Sequence, residues 1–426
     1  MASLAIATVT VFAACSSGSS ASATGSPSAS SSGLQPATLT MSTNGTVPGL
    51  DMVIAAFEQA HPGVKINVTA IPSDNYQPTL RTELASGSAP DLMFVWGGSG
   101  NAMGVGLVAP TGNFLPLGNP SWAQGLPANV LTLYEYQGKL YAAPVNTYVS
   151  AFAYNKDVFT AAGISGPPQT WSDFLSDCAK IKAQGVTPLD LANGAGFLNM
   201  QIPAVLADDI VYSQDPTFGN DVLTGKISLA TSTLWQNAVT TADSEYETLF
   251  KDGYVQPNST ATSIDQAIAA VAAGKAAMTH LIPSFQQLAV DNPQGSFGTF
   301  EVAATDTPGQ IVVTEAPGSA FAVNAHSKYI LQAQAFLNFL ASPAEVDVLA
   351  QATQTFPLVA GATYTPGAIY AGIVPLMQQQ KIAQNPTNYF TNDQSKQVWV
   401  AQAQLIASGS TTAAAATSAL LATLSK

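Results

Sequence analysis

The sequence predicts an α/β protein built on mainly parallel sheet. Three observations predict it. Residues 37–96 alternate strand, helix, strand, helix, strand, and that order forms a parallel sheet covered by helices. Residues 136–188 add a hairpin, a strand rich in Val, Tyr and Phe, a loop and a capped amphipathic helix. The chain has 426 residues, of which 47% are hydrophobic and 9% charged, enough for two or three domain-sized units with large cores.

Residues 4–14 are an apolar run of the length of a signal-peptide core, too short to span a bilayer. Ala13-Ala14-Cys15 follows and resembles a bacterial lipobox, so Cys15 is expected to be lipidated. An ordinary secretory leader is the other reading. Residues 16–36 are rich in Ser, Gly and Ala and read as a flexible tether, because they cannot bury enough apolar surface to offset their ordering entropy.

The folded part is expected from Ala37. Residues 37–42 read as a strand, 43–48 as a turn and 49–61 as a helix with Leu50, Val53, Ile54 and Phe57 inward. Residues 64–70 are the next strand, 76–86 a helix and 90–96 a short apolar strand. In such sheets ligands sit beyond the carboxyl ends of the strands, here Asn44-Gly45-Thr46 and Trp96-Gly97-Gly98-Ser99. Gln137-Gly138 marks a hairpin turn. Residues 143–154 read as one continuous strand. Thr170 caps a helix that presents Trp171, Phe174, Leu175, Cys178 and Ile181 on one face. Helices are expected at 197–207, 234–249, 264–273 and 328–341, and strands at 275–278, 299–305 and 320–323. The remainder is mostly helical, and no internal repeat is visible.

The net charge of −13 comes from a shortage of bases, which excludes a nucleic-acid partner. The single arginine, Arg81, lies on a helix whose Leu80 and Leu84 face the core, so it points to solvent. Anionic ligands are usually gripped by arginine forks, so a neutral ligand is favoured. His61, His280 and His326 lack metal-ligand spacing and are expected at surfaces or helix ends. Cys178 reads as a buried thiol, and no disulfide or cofactor is expected. There is no nucleophile elbow, dinucleotide fingerprint or P-loop. Asp91, the one acidic residue near a predicted strand end, reads as a structural cap.

The ordered run QGKLYAAPV, AYNKDVFTAAGI, PPQTWSDF and AKIKAQGVTPL resembles the extracellular solute-binding proteins of bacterial ABC importers, in the carbohydrate-binding branch that includes maltodextrin-binding proteins. PDLMFVWGG, GLVAPTGNFLPL and AIAAVAAGKAAM extend the resemblance. It covers about residues 37–426 and weakens after about 350. The resemblance implies a two-lobed periplasmic-binding-protein-like fold of type II, with the ligand in the inter-lobe cleft. The expected first lobe is 37–146 with about 312–342, and the second is 147–311 with about 343–426.

The implied function is capture of a neutral sugar or oligosaccharide for an ABC permease, by a monomer anchored through Cys15 to the outer face of the cytoplasmic membrane. A secreted carbohydrate-active hydrolase, or a sensor or adhesion module of the same fold, are the alternatives. Sugar rings offer apolar faces and a rim of hydroxyls, so aromatic and short polar side chains are the candidates. Trp96, Tyr148, Phe197 and Phe285 are the candidates for the faces; Asn44, Gly97, Ser99, Asn146, Gln201, Ser284 and Ser319 are those for the rim. Relatives carry an aromatic at the place of Phe197, and their principal ligand-facing aromatic falls at Ser284-Phe285.

Overall fold

The computed structural model describes residues 33–281, 285–307 and 309–424. The leader with Cys15, most of the tether and Ser284 lie outside the described residues. The folded unit begins at Leu34, three residues before the expected start. Leu34 packs on the first core and the Gln35 carbonyl accepts a hydrogen bond from Gln332 Nε2 at 3.0 Å, so this short stretch is held rather than tethered.

Two sheets organise the unit. The first has the order Val64–Ile71, Ala37–Asn44, Leu92–Phe94, Ala320–Val323, Ala143–Pro144. Its first three strands are parallel, and Ala320–Val323 runs antiparallel to both of its neighbours. Leu39 and Met41 of strand Ala37–Asn44 are buried, and helix Leu50–Ala60 lays Leu50, Val53, Ile54 and Phe57 in the same core. Each such side chain contributes roughly 1.5–3 kcal/mol on full burial. Asp91, at the amino end of Leu92–Phe94, ties it to the middle of Ala37–Asn44 and to the turn after Ala320–Val323: it accepts from Thr40 N at 2.8 Å, Thr40 Oγ1 at 2.9 Å and Ser327 Oγ at 2.6 Å, the structural role its position implied.

The second sheet is centred on Asn146–Asn155, which pairs with Val313–Pro317, Ala276–Leu281, Phe297–Phe300 and Phe356–Pro357. Ile382–Gln384 and Thr187–Leu189 complete its edges. Its two faces carry separate cores, one around Phe152, Phe174 and Trp235, the other around Val149, Leu281 and Phe285. Thr170 Oγ1 accepts from Asp173 N at 3.1 Å, which starts helix Trp171–Ala183 as its sequence predicts. Gln137 (φ 50°) and Gly138 (φ 71°) both adopt positive φ in the turn between Glu135–Tyr136 and Lys139–Leu140, as a two-residue hairpin requires.

Residues 143–154 are not one strand. Ala143–Pro144 belongs to the first sheet and Asn146–Asn155 to the second, so Val145 is the first passage between lobes. The second passage is at Gly318-Ser319, because Val313–Pro317 pairs with the second sheet; the boundary expected near 312 moves accordingly. Helix Pro343–Thr353 places Val346 and Leu349 in the first core, so it packs on the first lobe and not, as expected, on the second. A third passage lies between Val359, in the first core, and Tyr370, in the second lobe's.

The passages are laced side by side. Val145 N donates to Ser319 O at 3.0 Å, Gly318 N to Asn146 O at 2.9 Å and Leu358 N to Val145 O at 3.0 Å. His280 departs from its expected surface position: it lies in strand Ala276–Leu281, 3% exposed, with its ring 4.8 Å from Phe152, and burial lowers its pKa to about 3. Among the described residues, no helix is long and apolar enough to cross a membrane and no cluster of His, Cys, Asp and Glu suits a metal ion.

Candidate functional site

The carboxyl ends of the first sheet are held in place by Tyr76. Its buried hydroxyl donates to Phe94 O at 2.7 Å and lies 3.2 Å from Ser42 O, joining two strand ends. Trp96 follows, half-buried, with its ring edge-on to Phe94 at 4.9 Å and to Tyr76 at 5.8 Å. Asn44 ends the neighbouring strand half-buried, and its Oδ1 has no hydrogen-bond partner among the described residues. Gly97 is packed under Leu133, and Ser99 is half-buried in the same loop. Asn44, Trp96, Gly97 and Ser99 thus share one end of the first lobe.

At the passages, Tyr148 is half-buried with its phenol beside Ser319, which is 1% exposed. Burial raises the Tyr148 pKa, partly offset by Ser319. Asn146 is fully buried and its amide is spent on the passages. Nδ2 donates to Thr355 Oγ1 at 2.8 Å and to Thr353 Oγ1 at 3.2 Å, and Oδ1 accepts from Ser319 N at 2.6 Å. Its side chain therefore ties the first two passages to the stretch at 353–355 and is not part of a hydroxyl-reading rim.

In the second lobe, Phe197 stands 50% exposed just ahead of helix Gln201–Tyr212. Gln201 is 6% exposed; its Oε1 accepts from Asn385 Nδ2 at 3.1 Å and its Nε2 donates to Phe197 O at 3.3 Å, so it orients the aromatic's backbone. Phe285 is placed differently from the expectation. It is 0% exposed and edge-on to Tyr370 at 5.3 Å in the core beneath the sheet. Hydrophobic burial wins because no polar edge on phenylalanine needs water.

The lobes meet along a seam that sequence reasoning missed. The loop at 97–101 rests on the turn at 385–390. β-Carbons built on Gly98 and Gly100 would overlap the carbonyl oxygens of Asn388 and Thr387. Lys396 Nζ donates to Asn101 Oδ1 at 2.6 Å. Asn129 Nδ2 donates to Glu315 Oε1 at 3.2 Å, and Gln384 Nε2 to Asn129 O at 2.7 Å. Glu315 is a carboxylate at the lobe junction that the strand reading did not single out. Burial pushes its pKa up to about 7, against the lowering effect of Thr147 and Asn129. Arg81 is exposed on helix Ser73–Ser86, as its neighbours predicted. A signal for this seam existed in the glycine spacing of the loop, but its partner lies about 290 residues away.

Comparison with known proteins agrees with this architecture. Residues 43–347 match the family described as bacterial extracellular solute-binding protein. A binding protein of Brucella abortus is 26% identical over 266 residues, 62% of this chain and 61% of that protein, so the match spans less than two thirds of that relative. The multiple sugar-binding protein of Streptococcus mutans is 25% identical over 306 residues, 68% of this chain and 67% of that one. The structure of a Bacillus licheniformis sugar transporter in complex with stachyose is similar with a TM-score of 0.71 at 19% identity, covering 91% of this chain and 99% of the other. The chain belongs to the bacterial extracellular solute-binding protein family and has its two-lobed type II fold.

Proposed function

We propose that this protein captures a neutral mono- or oligosaccharide between its lobes and delivers it to the permease of an ABC importer, held at the membrane by a lipid on Cys15. The observation that carries this reading is the pairing of incompletely buried aromatics with polar groups at the lobe junction. Trp96 and Tyr148 are half-buried and Phe197 is half-exposed, while Asn44 Oδ1 has no partner among the described residues. Aromatic faces cover sugar C–H faces, and unpaired amides take hydroxyls. The only arginine, Arg81, is exposed to solvent. The sugar names carried by relatives support the ligand class.

The test is a thermal-shift panel of glucose, maltotriose, raffinose and stachyose, with product analysis of the same mixtures. A ligand bound only by the native state raises the melting temperature. A rise without turnover supports a receptor; turnover supports the hydrolase alternative; no shift with any sugar removes the carbohydrate reading. Calorimetry then sharpens the site: Trp96→Ala costs about 1–3 kcal/mol of binding, the scale of a buried aromatic. Binding is nearly insensitive to salt, because no ion pair is there to be screened. Mass spectrometry of membrane-bound full-length chain tests the lipid: an unmodified Cys15 overturns the anchor.

A further inference from the structure

The seam between the lobes is unusually close. At Gly98 and Gly100 the backbone of one lobe lies directly on carbonyls of the other. Gly98 has a φ of 63°, so any side chain there is strained whatever the space. Gly100 is different. Its φ lies outside the left-handed region, and the three atoms nearest to a built β-carbon are Thr387 O, Thr387 C and, at 3.3 Å, Phe390 Cβ. All three belong to the second lobe. Within its own lobe, then, Gly100 has no close neighbour that demands glycine. What demands it is the approach of the second lobe.

One residue further on, Asn101 is 3% exposed and its Oδ1 accepts from Lys396, in the first turn of helix Asp393–Ala407. Among the described residues Lys396 has no ion pair, and Asn101 is its one side-chain acceptor. An ammonium partly withdrawn from water is tolerated where a hydrogen bond holds it. Opening the lobes returns it to water and breaks that bond. The Asn101–Lys396 contact therefore belongs to the closed arrangement and not to the interior of either lobe.

We infer that residues 97–101 and the segment 385–396 form a clasp whose closure depends on the missing side chain of Gly100, with Lys396 positioning the loop. The inference deepens the proposed receptor function and rests on it for its purpose, since capture between lobes needs them to shut. The clasp itself is judged without sugar. A single methyl group at position 100 acts as a wedge: it leaves the first lobe intact and shifts the molecule toward the open form.

The experiment places spin labels on Met52→Cys and Leu405→Cys, exposed on the two lobes at 55% and 40%, in the full chain carrying Cys15→Ser. Cys178 is buried and stays unlabelled. Pulsed dipolar spectroscopy reads the distance distribution with and without raffinose. The expected result is a short-distance component matching this structure, whose ratio to the longer-distance component Gly100→Ala lowers about tenfold, the effect of a wedge worth one decade in the closed-to-open ratio. Gly166→Ala, where a β-carbon meets nothing within 4 Å, leaves it unchanged. Ligand-free Gly100→Ala still unfolds in one cooperative transition, with a melting temperature lowered by no more than a few degrees. Should Gly100→Ala unfold, Lys396→Met gives the second reading, with a reduction of about two- to fivefold. A short component that survives Gly100→Ala at parental population, or that is missing from the parent in both conditions, overturns the clasp. Raffinose calorimetry on the parent separates the two ideas: no binding heat counts against a raffinose-type ligand, while the ligand-free distances still judge the clasp.

Discussion

The two lobes solve burial differently. Among the described residues, the first lobe's core is aliphatic and aromatic, and the polar side chains it buries, such as Asn101, Asn324 and Gln332, are uncharged. The second lobe buries Asp177, Asp208, Asp209, Asp243, Glu301, Glu315 and His280. Most of these carboxylates act as ties. Asp208 accepts from Thr314 Oγ1 at 2.9 Å and Tyr389 hydroxyl at 3.0 Å; Asp209 accepts from Ala304 N at 2.8 Å and Val312 N at 3.1 Å. Asp243 accepts from Trp399 Nε1 at 3.1 Å and Thr417 Oγ1 at 2.6 Å, joining three helices. The difference teaches that one lobe is stabilised by a term indifferent to protons, the other partly by groups that titrate.

The largest break in this comparison is Phe57→Ala. Phe57 is fully buried, with its ring 5.2 Å from Phe336, and its loss costs roughly 3–5 kcal/mol of stability at every pH, read by denaturant unfolding. Next is Asp243→Ala in the second lobe. It strands a buried indole N–H and a hydroxyl, at a cost of roughly 1–3 kcal/mol, and the loss varies with pH where the first does not.

The pH dependence itself sharpens the contrast. Burial raises Asp209 and Glu315 to about 7 and Asp243 to about 6, and lifts Asp208 and Glu301 well above the ordinary carboxylate range. The folded state therefore holds protons that the unfolded chain releases above its ordinary carboxylate pKa. Their contribution is fully present below about pH 4 and is lost as pH rises through about 7. His280, lowered to about 3, runs the other way, losing stability as pH falls below the ordinary histidine value, but it is one group against five. The melting temperature is expected to fall between about pH 4.5 and 7.5, and Glu315→Gln to flatten that slope. A melting temperature that rises across this range sinks the account. The smallest effect is at Arg81, exposed and without an ion pair among the described residues. Arg81→Gln changes stability by less than about 0.5 kcal/mol and leaves sugar binding untouched.

The sequence by itself determined the α/β class, the strand–helix order of the first lobe, the capped helix after Thr170 and the outward arginine. All of these rest on local patterns: the spacing of apolar residues, cap chemistry and turn residues act over fewer than about a dozen positions. It also marked the strand ends at Asn44 and Trp96, because the carboxyl edge of a parallel sheet follows from strand order alone. The resemblance put the first passage within a residue of Val145, but only the tertiary structure decided where the second and third passages fall and which polar residues are spent on them. Pro144 weakens the ladder just before Val145, but it is the two sheets taking its two halves that divide the stretch. Asn146 looks like a rim residue until Thr355, 209 positions away, takes its amide. Phe285 follows a strand as a ligand-facing aromatic would, yet Tyr370 draws it into the core. Asp208 lies just past the helix expected at 197–207 and gives no local sign of burial, yet Thr314 and Tyr389, 106 and 181 positions on, bond it in the core. Gly100 looks like any loop glycine until the Thr387 carbonyl arrives from the other lobe. In each case the deciding partner is remote in the chain, and a side chain's burial is a property of what folds against it.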